Sequence, residues 1–149
     1  MKIMIVVTHL LGTGHLSRAL TLGHSFAQAG HDVRVVSGGM PAPQLGSAGV
    51  RLIQLPPVRS DGVDFTRLLG PNDQIASPEH LAQRSACLTG EVMSDPPDAL
   101  ITELFPFGRR ILRDEFKALL GAARSVPRTP KILCSIRDIL APPSKASKA

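Results

Sequence analysis

The chain has 149 residues, of which 43% are hydrophobic and only 3% aromatic, and its formal net charge is +5. This length predicts one domain with a sizeable core. The scarcity of aromatic side chains argues against surfaces that stack on single-stranded nucleic acid, and no helix-turn-helix, zinc or RNP pattern is found, so we expect no nucleic-acid partner. The positive charge is compatible with phosphorylated ligands or an anionic membrane surface.

The first predicted element is a strand over residues 2–8, KIMIVVT, whose β-branched side chains are typical of burial on both faces. A loop over residues 9–15 follows. Apolar residues at helical spacing then lead to Gly30, which we expect in the left-handed conformation that ends many helices. Residues 32–37, DVRVVS, predict the next strand. Together these elements form a βαβ unit with two parallel strands.

The loop of this unit contains Gly12 and Gly14 but departs from the nucleotide-binding glycine motifs. A P-loop requires a lysine after its last glycine, and none follows Gly14. A dinucleotide fingerprint requires a third glycine, where this chain has Ser17, and an acidic residue after the second strand, which is missing. The loop therefore predicts bare backbone N–H groups at a helix N-terminus, suited to an anion or to hydroxyl groups rather than to NAD.

Strands and helices alternate along the rest of the chain. The further predicted elements are one helical turn over residues 44–47, strands over 50–55, 99–102 and 131–136, and helices over 78–94 and 108–124. Ser77 and Pro78 mark the start of the second helix, as a cap and a first-turn proline. The alternation predicts an α/β fold, a Rossmann-like parallel sheet with helices on both faces, in one domain over residues 1–140. Residues 141–149 predict a disordered tail.

The longest stretch without periodicity covers residues 55–77. So long a gap inside a compact domain is typical of a functional or mobile loop. We expect Phe65, Leu68 and Leu69 to anchor part of it.

The two cysteines, Cys87 and Cys134, lack the spacing of a metal site. We expect both to be reduced and mostly buried thiols of a cytosolic protein. The first apolar run ends at His9 without a cleavage site, so we expect no signal peptide. No apolar run approaches the ~20 residues that span a bilayer.

Ligands of open parallel sheets bind beyond the carboxyl ends of the strands. We therefore expect one rim that combines the glycine loop with the ends of later strands. Its candidate residues are His9, Gly12, Thr13, Gly14, His15, Ser37, Gly38, Gly39, Glu103 and Arg137. His9 is either a second histidine of the rim or merely a strand-end residue, and the second interpretation is favoured.

His15 and Glu103 are the candidates for proton transfer. His15 stands at a helix start, where the positive helix end favours the neutral imidazole, which can accept a proton from a hydroxyl. The alternative for His15 is a cap bonded to the backbone. Glu103, at the end of a buried strand, can act as a base or orient a hydroxyl. Its alternative role is an ion pair with Arg109, Arg110 or Arg137.

Arg109 and Arg110 are predicted in the first turn of a helix, where the helix dipole disfavours cations. Such a placement indicates an anionic partner, either a phosphate of the ligand or Glu103. Arg110, Arg113 and Lys117 share one helical face. That face is either solvated surface or a contact for phosphate or a membrane.

Four stretches, in order, resemble a known family. They are THLLGTGHLSRAL, AGHDVRVVSGG, ALITELFPFGRRILRDEF and SIRDILAPPSK. The first two resemble the amino-terminal domain of GT-B glycosyltransferases, in particular the MurG-like and UDP-sugar transferases. The last two resemble a bacterial family of predicted glycosyltransferases. The resemblance extends over essentially the whole chain.

The resemblance implies that the chain is a single GT-B half-domain. In GT-B enzymes the amino-terminal domain binds the acceptor, and a second Rossmann-like domain, missing from this chain, binds the nucleotide sugar. It implies that His15 or Glu103 is the catalytic base. The implied acceptor-binding residues are His9, Gly12, Thr13, Gly14, Gly38, Gly39, Arg109 and Arg137. No cofactor or metal is implied, in agreement with the lack of an Asp-x-Asp pair, and the chain alone is expected to be inactive.

The implied partners are a nucleotide-sugar donor, through the missing domain, and a sugar or lipid-linked acceptor. The implied location is cytoplasmic, with peripheral membrane contact, and an apolar rim left uncovered predicts self-association. Two alternatives stay open. One is a non-catalytic, partner-dependent subunit or binding protein of the same fold. The other, disfavoured by the missing acidic residue after the second strand, is a free-standing nucleotide-binding module.

Overall fold

The computed structural model describes residues 1–137, which form one parallel sheet flanked by helices. The elements in chain order are β1 (Lys2–Val7), α1 (Gly14–Gln28), β2 (Asp32–Ser37), β3 (Arg51–Gln54), α2 (Pro78–Ser94), β4 (Ala99–Glu103), a 3-10 turn (Arg110–Leu112), α3 (Arg113–Ser125) and β5 (Lys131–Ser135). The five strands are all parallel and lie in the order β3-β2-β1-β4-β5. The predicted α/β, Rossmann-like fold is confirmed.

Strand β1 lies at the centre of the sheet, and its side chains alternate between two hydrophobic layers. Met4 and Val6 pack with residues of α2 and α3 on one face. Ile3, Ile5 and Val7 pack with α1 on the other face. Because both faces of the strand are buried, its sequence is an unbroken apolar run rather than an alternating one. The prediction of helices on both faces is therefore confirmed.

The boundaries of the first two helices follow from local signals in the sequence. The Ser77 hydroxyl accepts a hydrogen bond of 3.1 Å from the backbone N–H of His80, and Pro78 is the first residue of α2. Gly30 follows α1 with a φ of +86°, a conformation that residues with a Cβ rarely adopt. Both signals act as predicted.

Two predicted helical segments are wrong. Residues 44–47 form a turn and a bend rather than a helix. A helix of one turn gains too few hydrogen bonds to offset the cost of its nucleation. The helix predicted over residues 108–124 begins later, at Arg113, after the 3-10 turn. The cause is Arg109, whose left-handed φ of 61° cannot be part of a right-handed helix.

The segment between β3 and α2 is a long loop that is ordered by its own polar contacts. These contacts are backbone bridges between Arg59 and Leu69 and between Leu69 and Ile75, and ion pairs of Arg59 with Asp73 (2.5 Å) and of Arg67 with Asp61 (2.7 Å). The loop is therefore a folded part of the domain.

The apolar residues of this loop differ in their surroundings. Leu68 and Leu69 are buried and anchor the loop as predicted. Phe65 is 60% exposed, so its predicted anchoring role is wrong. It follows a tip turn fixed by the side chain of Asp61, which accepts two backbone N–H bonds and thereby keeps Phe65 outside the core.

The prediction that both cysteines are mostly buried is wrong for Cys87, which is exposed, while Cys134 is half-buried. Helix α2 packs through the face that carries Arg84, Leu88 and Val92. Position 87 projects from another side of the helix. Both thiols are free.

Within residues 1–137, no helix is both long and apolar enough to cross a membrane. The same part of the chain contains no group of three or more His, Cys, Asp and Glu side chains arranged to hold a metal ion. The predicted tail over residues 141–149 lies outside the described residues.

A fully buried guanidinium, that of Arg84 on α2, joins three parts of the fold. Its Nε and Nη2 donate to the two carboxylate oxygens of Glu115 on α3, each at 3.0 Å. Its Nη1 donates to the backbone carbonyl of Gly38 at 2.7 Å and to that of Pro56. The loops after β2 and β3 are thereby tied to the helix layer.

Removal of the Arg84 guanidinium should destabilise the fold strongly, because the buried Glu115 carboxylate and the Pro56 carbonyl would lose their donor and the Gly38 carbonyl would keep only the Val58 N–H. For Arg84→Met we expect a loss of about 3–5 kcal/mol in the free energy of unfolding. The measurement is a urea titration followed by circular dichroism.

Arg113→Met, at an exposed position of α3, is the matched control, and we expect a change below about 0.5 kcal/mol. Adding Glu115→Leu to Arg84→Met should recover part of the loss, because it removes the unpaired carboxylate. Equal stability of Arg84→Met and the control would contradict the role of Arg84.

Candidate functional site

A cavity of about 320 Å³ lies at the carboxyl edge of the sheet, beside the glycine loop between β1 and α1. Its lining residues are Leu10, Leu11, Gly12, Gly14, His15, Phe65, Arg109 and Arg137. The loop after β1, the long loop before α2 and the residues that follow β4 and β5 all contribute. This is the edge at which ligands of open α/β sheets bind.

The chemical centre of this edge is a contact between His15 and Glu103. The Nδ1 atom of His15 lies 3.2 Å from Oε1 of Glu103, which is only 2% exposed at the end of β4. The Nε atom of Arg18 lies 3.7 Å from the same oxygen. Of the alternatives weighed from the sequence, an ion pair with Arg109, Arg110 or Arg137 is wrong for Glu103, since His15 and Arg18 are its partners.

Helix α1 begins without a side-chain cap. Within the described chain, no side chain bonds to the N-terminal turn at Thr13, and no acidic residue lies in the first turn. His15 is therefore not engaged as a cap, which was its alternative interpretation. Gly12 and Gly14 have no atom within 4 Å of the position of a Cβ. The backbone at Gly12 and Gly14, which line the cavity, is therefore uncovered on the side where a Cβ would stand.

Arg109 reaches the site through a sharply turned loop. Leu104 and Arg109 both adopt left-handed backbone conformations, with φ of 69° and 61°, which is uncommon for residues with a side chain. The turn returns the Arg109 guanidinium to the residue that follows β1, where its Nε donates to the Thr8 carbonyl at 2.6 Å. Burial lowers the pKa of Arg109, and the nearby Glu103 carboxylate opposes that shift. Arg109 thus lies before the 3-10 turn, not in the first turn of an α-helix as predicted.

Gly38 and Gly39 are packed behind the cavity rather than exposed in it. A Cβ on Gly38 would lie 2.6 Å from the Arg84 guanidinium, and one on Gly39 would lie 2.5 Å from the His9 ring. His9 is itself only 3% exposed. These residues hold the loops after β1 and β2 together, and none of the three lines the cavity.

The cavity brings together five of the residues singled out in the sequence, namely Gly12, Gly14, His15, Arg109 and Arg137, with Glu103 directly behind them. The sequence interpretation missed Arg18, Leu11 and Phe65. Arg18 follows His15 by one helical turn, and this spacing could have indicated a shared partner. No signal in the sequence placed the loop that carries Phe65 beside the glycine loop.

A second cavity, of about 290 Å³, lies between the amino-terminal parts of α2 and α3. Apolar side chains and Ser85, Asp114 and Glu115 line it. Its buried carboxylate, Glu115, is already committed to Arg84. The cavity beside His15 is therefore the better candidate for chemistry.

No protein-family model and no curated protein matches this chain. Among solved structures, MurG from Acinetobacter baumannii matches 89% of this chain at 17% identity with a TM-score of 0.55, over 34% of its own chain. Phytolacca americana UGT2, complexed with UDP-2-fluoro-glucose and pterostilbene, matches 77% of this chain at 22% identity and a TM-score of 0.47, over 28% of its own. Glycosyltransferase VinC, in complex with dTDP, matches 81% at 17% identity and 0.41, over 39% of its own.

The match to MurG shows a shared fold. The predicted resemblance to a GT-B half-domain is thereby confirmed at the level of the fold. The chain spans about a third of the length of the MurG chain that it matches.

The packed Gly39 and the open Gly14 should differ in how much substitution by alanine changes the stability of the fold. Gly39→Ala would place a Cβ against the ring and backbone of His9, and such overpacking costs about 1–3 kcal/mol of stability. Gly14→Ala adds a Cβ in open space at the start of a helix and should leave stability unchanged or slightly raised. Urea titrations of the two variants make the comparison, and equal stabilities would contradict the packing role of Gly39.

Burial lowers the pKa of His9, and the nearby Arg109 charge acts in the same direction. In the unfolded chain the His9 imidazole takes up a proton at about pH 6.5, its ordinary pKa. In the folded protein it does so only at a lower pH. Stability contributed by the neutral side chain should fall as the pH drops below about 6.5. Between pH 7 and 5, His9→Gln should show a flatter dependence of unfolding free energy on pH than the unchanged chain, and identical slopes would contradict this role of His9.

Proposed function

We propose that residues 1–140 are the acceptor-binding half of a GT-B glycosyltransferase, which transfers a sugar from a nucleotide-sugar donor to an acceptor hydroxyl. The observation that carries the proposal is the contact of His15 with the buried Glu103, next to a cavity and an uncapped helix N-terminus. This arrangement supplies a proton acceptor, a residue that orients it, and space for the hydroxyl.

In this proposal the two residues have different roles. The proposed tautomer has its proton on Nδ1 of His15, donated to the Glu103 carboxylate 3.2 Å away, and leaves an electron pair on Nε2. His15 would take the proton of the acceptor hydroxyl while its oxygen attacks the anomeric carbon and the nucleotide diphosphate leaves. Glu103 is too deeply buried to contact an acceptor. It acts as a positioning residue, and its charge stabilises the imidazolium that forms.

The polar part of the cavity would hold the rest of the acceptor. The free N–H groups beside Gly12, Thr13 and Gly14 can bind hydroxyl or phosphate oxygens. Arg109 and Arg137 add positive charge to the cavity. His9, Gly38 and Gly39 contribute indirectly, by supporting the loop.

The donor would be held by a second domain, because orientation of both substrates contributes roughly 7–11 kcal/mol to such reactions in favourable cases. We infer that this chain alone transfers no sugar.

The free thiols support a cytoplasmic location. Peripheral membrane contact and self-association stay predictions, and within residues 1–137 the edge strand β5, with exposed Ile132 and Leu133, supports the second.

Substitution of His15 tests the proposal. The assay combines purified protein, radiolabelled nucleotide sugars and a panel of sugar and lipid acceptors, with and without a separately produced nucleotide-sugar-binding domain from the same genomic locus. We expect multiple turnover only with both domains, and a decrease of about 10²–10⁴-fold for His15→Gln, which removes the base.

His31→Gln is the matched control, since His31 lies beside the other end of α1 and should leave turnover unchanged. Glu103→Gln should lower the rate while leaving the KM for the acceptor nearly unchanged, as expected for a residue that acts through His15. Turnover by the chain alone, or full activity of His15→Gln, would refute the proposal.

A further inference from the structure

Strand β5 forms one edge of the sheet, and the helices that cover its neighbour β4 leave it open. Leu100 and Ile101 of β4 lie on opposite faces of the sheet and are 0% and 5% exposed. Their register partners on β5, Ile132 and Leu133, are 36% and 52% exposed. The edge therefore presents a large apolar side chain on each face of the sheet, and such surfaces commonly mark protein–protein contacts.

The backbone of β5 is also open to pairing along this edge. The N–H of Lys131 and the carbonyl of Ser135 bond to the residues that flank β4, at 2.9 and 2.8 Å, so both face β4. Because backbone groups alternate in direction along a strand, those of Ile132 and Cys134 point away from β4. Within residues 1–137, no other strand pairs with that outer side.

The opposite edge of the sheet, β3, is protected against such pairing. Arg51 begins the strand, and its charged side chain is 57% exposed. Gln54 ends the strand, and its Nε2 donates to the carbonyl groups of Ser37 and Gly39 at 3.2 and 2.7 Å. Short edge strands that carry charged side chains resist pairing with another chain. Strand β5 carries a charge only at Lys131, and its centre is apolar.

We propose that the chain forms a symmetric dimer in which β5 pairs antiparallel with β5 of a second copy, with Leu133 at the twofold axis. Ile132 then exchanges both backbone hydrogen bonds with Cys134 of the second copy, since these residues carry the outward groups. Leu133 meets its own counterpart on the face of the sheet that α1 covers elsewhere. The inference is independent of the proposed function.

A twofold axis one residue later, at Cys134, is disfavoured by charge and by an existing hydrogen bond. It would place Lys131 opposite Arg137 of the second copy, and like charges directly opposite each other destabilise a strand pair. It would also require the carbonyl of Ile136 as an acceptor for the second copy. That carbonyl already accepts from Nη2 of Arg18 at 2.6 Å.

An axis one residue earlier, at Ile132, is disfavoured by a missing donor. It would set Pro130 opposite Cys134 of the second copy, and proline has no N–H for the backbone bond of that pair. With the axis at Leu133, the charged Lys131 lies opposite a serine. The strand thus fits a reversed copy of itself. A membrane could cover only one face of the sheet, whereas a paired strand extends both faces.

The first test is the oligomeric state of the full chain, measured by sedimentation equilibrium over a range of protein concentrations. We expect a reversible monomer–dimer equilibrium. Leu133→Lys should weaken dimerisation about tenfold or more, because it replaces an apolar contact at the axis with two like charges. Leu52→Lys is the matched control, because Leu52 is 37% exposed on the protected edge β3, and it should leave the equilibrium unchanged. Circular dichroism verifies that both variants fold.

Oxidative cross-linking tests the register. In a chain with Cys87→Ser and Cys134→Ser, the further change Leu133→Cys should yield a disulfide-linked dimer. Opposite residues of this type lie about 4.5 Å apart between their Cα atoms, within the range of a disulfide. Ser135→Cys in the same background should not cross-link, because its two copies would lie roughly 13 Å apart along the strands.

Four results would overturn the inference. They are a monomer at every concentration, equal dimerisation of Leu133→Lys and Leu52→Lys, cross-linking of Ser135→Cys as fast as Leu133→Cys, and a disulfide dimer of the unchanged chain through Cys134. The last two would place the axis elsewhere on the strand. None of these measurements involves sugar transfer, so failure of the dimer leaves the transferase proposal standing, and failure of that proposal leaves the dimer standing.

Discussion

The buried guanidinium of Arg84 is the interaction on which the arrangement of the carboxyl edge depends. It satisfies Glu115 on α3 and the carbonyl groups of Gly38 and Pro56, which follow β2 and β3. Buried carbonyl groups in loops need donors, and the one at Gly38 accepts from the Val58 N–H at 3.1 Å as well as from Arg84. One side chain with five N–H donors bonds to both carbonyl groups and to both carboxylate oxygens of Glu115.

The consequences of this contact extend to the cavity. The Arg84 guanidinium leaves no room for a side chain at Gly38, so the chain after β2 lies against Thr8. Thr8 in turn offers its carbonyl to Arg109, which lines the cavity. The loop after β1 is thus supported from behind by packing, and its front, with Gly12 and Gly14, is left open. Rigid support behind an open face suits a site that must hold its groups ready before the ligand arrives.

The charged groups beside the cavity are arranged around one buried carboxylate, that of Glu103. Glu103 lies within 4 Å of both His15 and Arg18, and Arg18 also donates to the carbonyl of Ile136 beyond β5 at 2.6 Å. A buried charge is tolerated when it is paired, and here its partners come from α1. The same pairing that permits burial orients the imidazole towards the cavity. Stability and the proposed chemistry therefore depend on the same contacts.

The sequence by itself determined the strands and most of the helices, because periodicity and capping act over a few neighbouring residues. The unbroken apolar run of β1, the cap at Ser77 and the glycine stop at Gly30 each specify local structure whatever the rest of the chain does. The alternation of elements then fixes a parallel sheet, and with it the rule that His15 and Glu103 lie at the same edge.

Only the tertiary structure decided which side chains of that edge meet and which are covered. Gly38 and Gly39 follow β2 much as Gly12 and Gly14 follow β1, yet the first pair is packed against Arg84 and His9, contacts that join residues 30 or more positions apart. The guanidinium of the left-handed Arg109 likewise bonds to the distant Thr8 carbonyl, whereas the exposed Phe65 follows a local turn at Asp61. Burial is a property of contacts between elements, and a local pattern contains no information about the side chain that arrives from the other end of the chain.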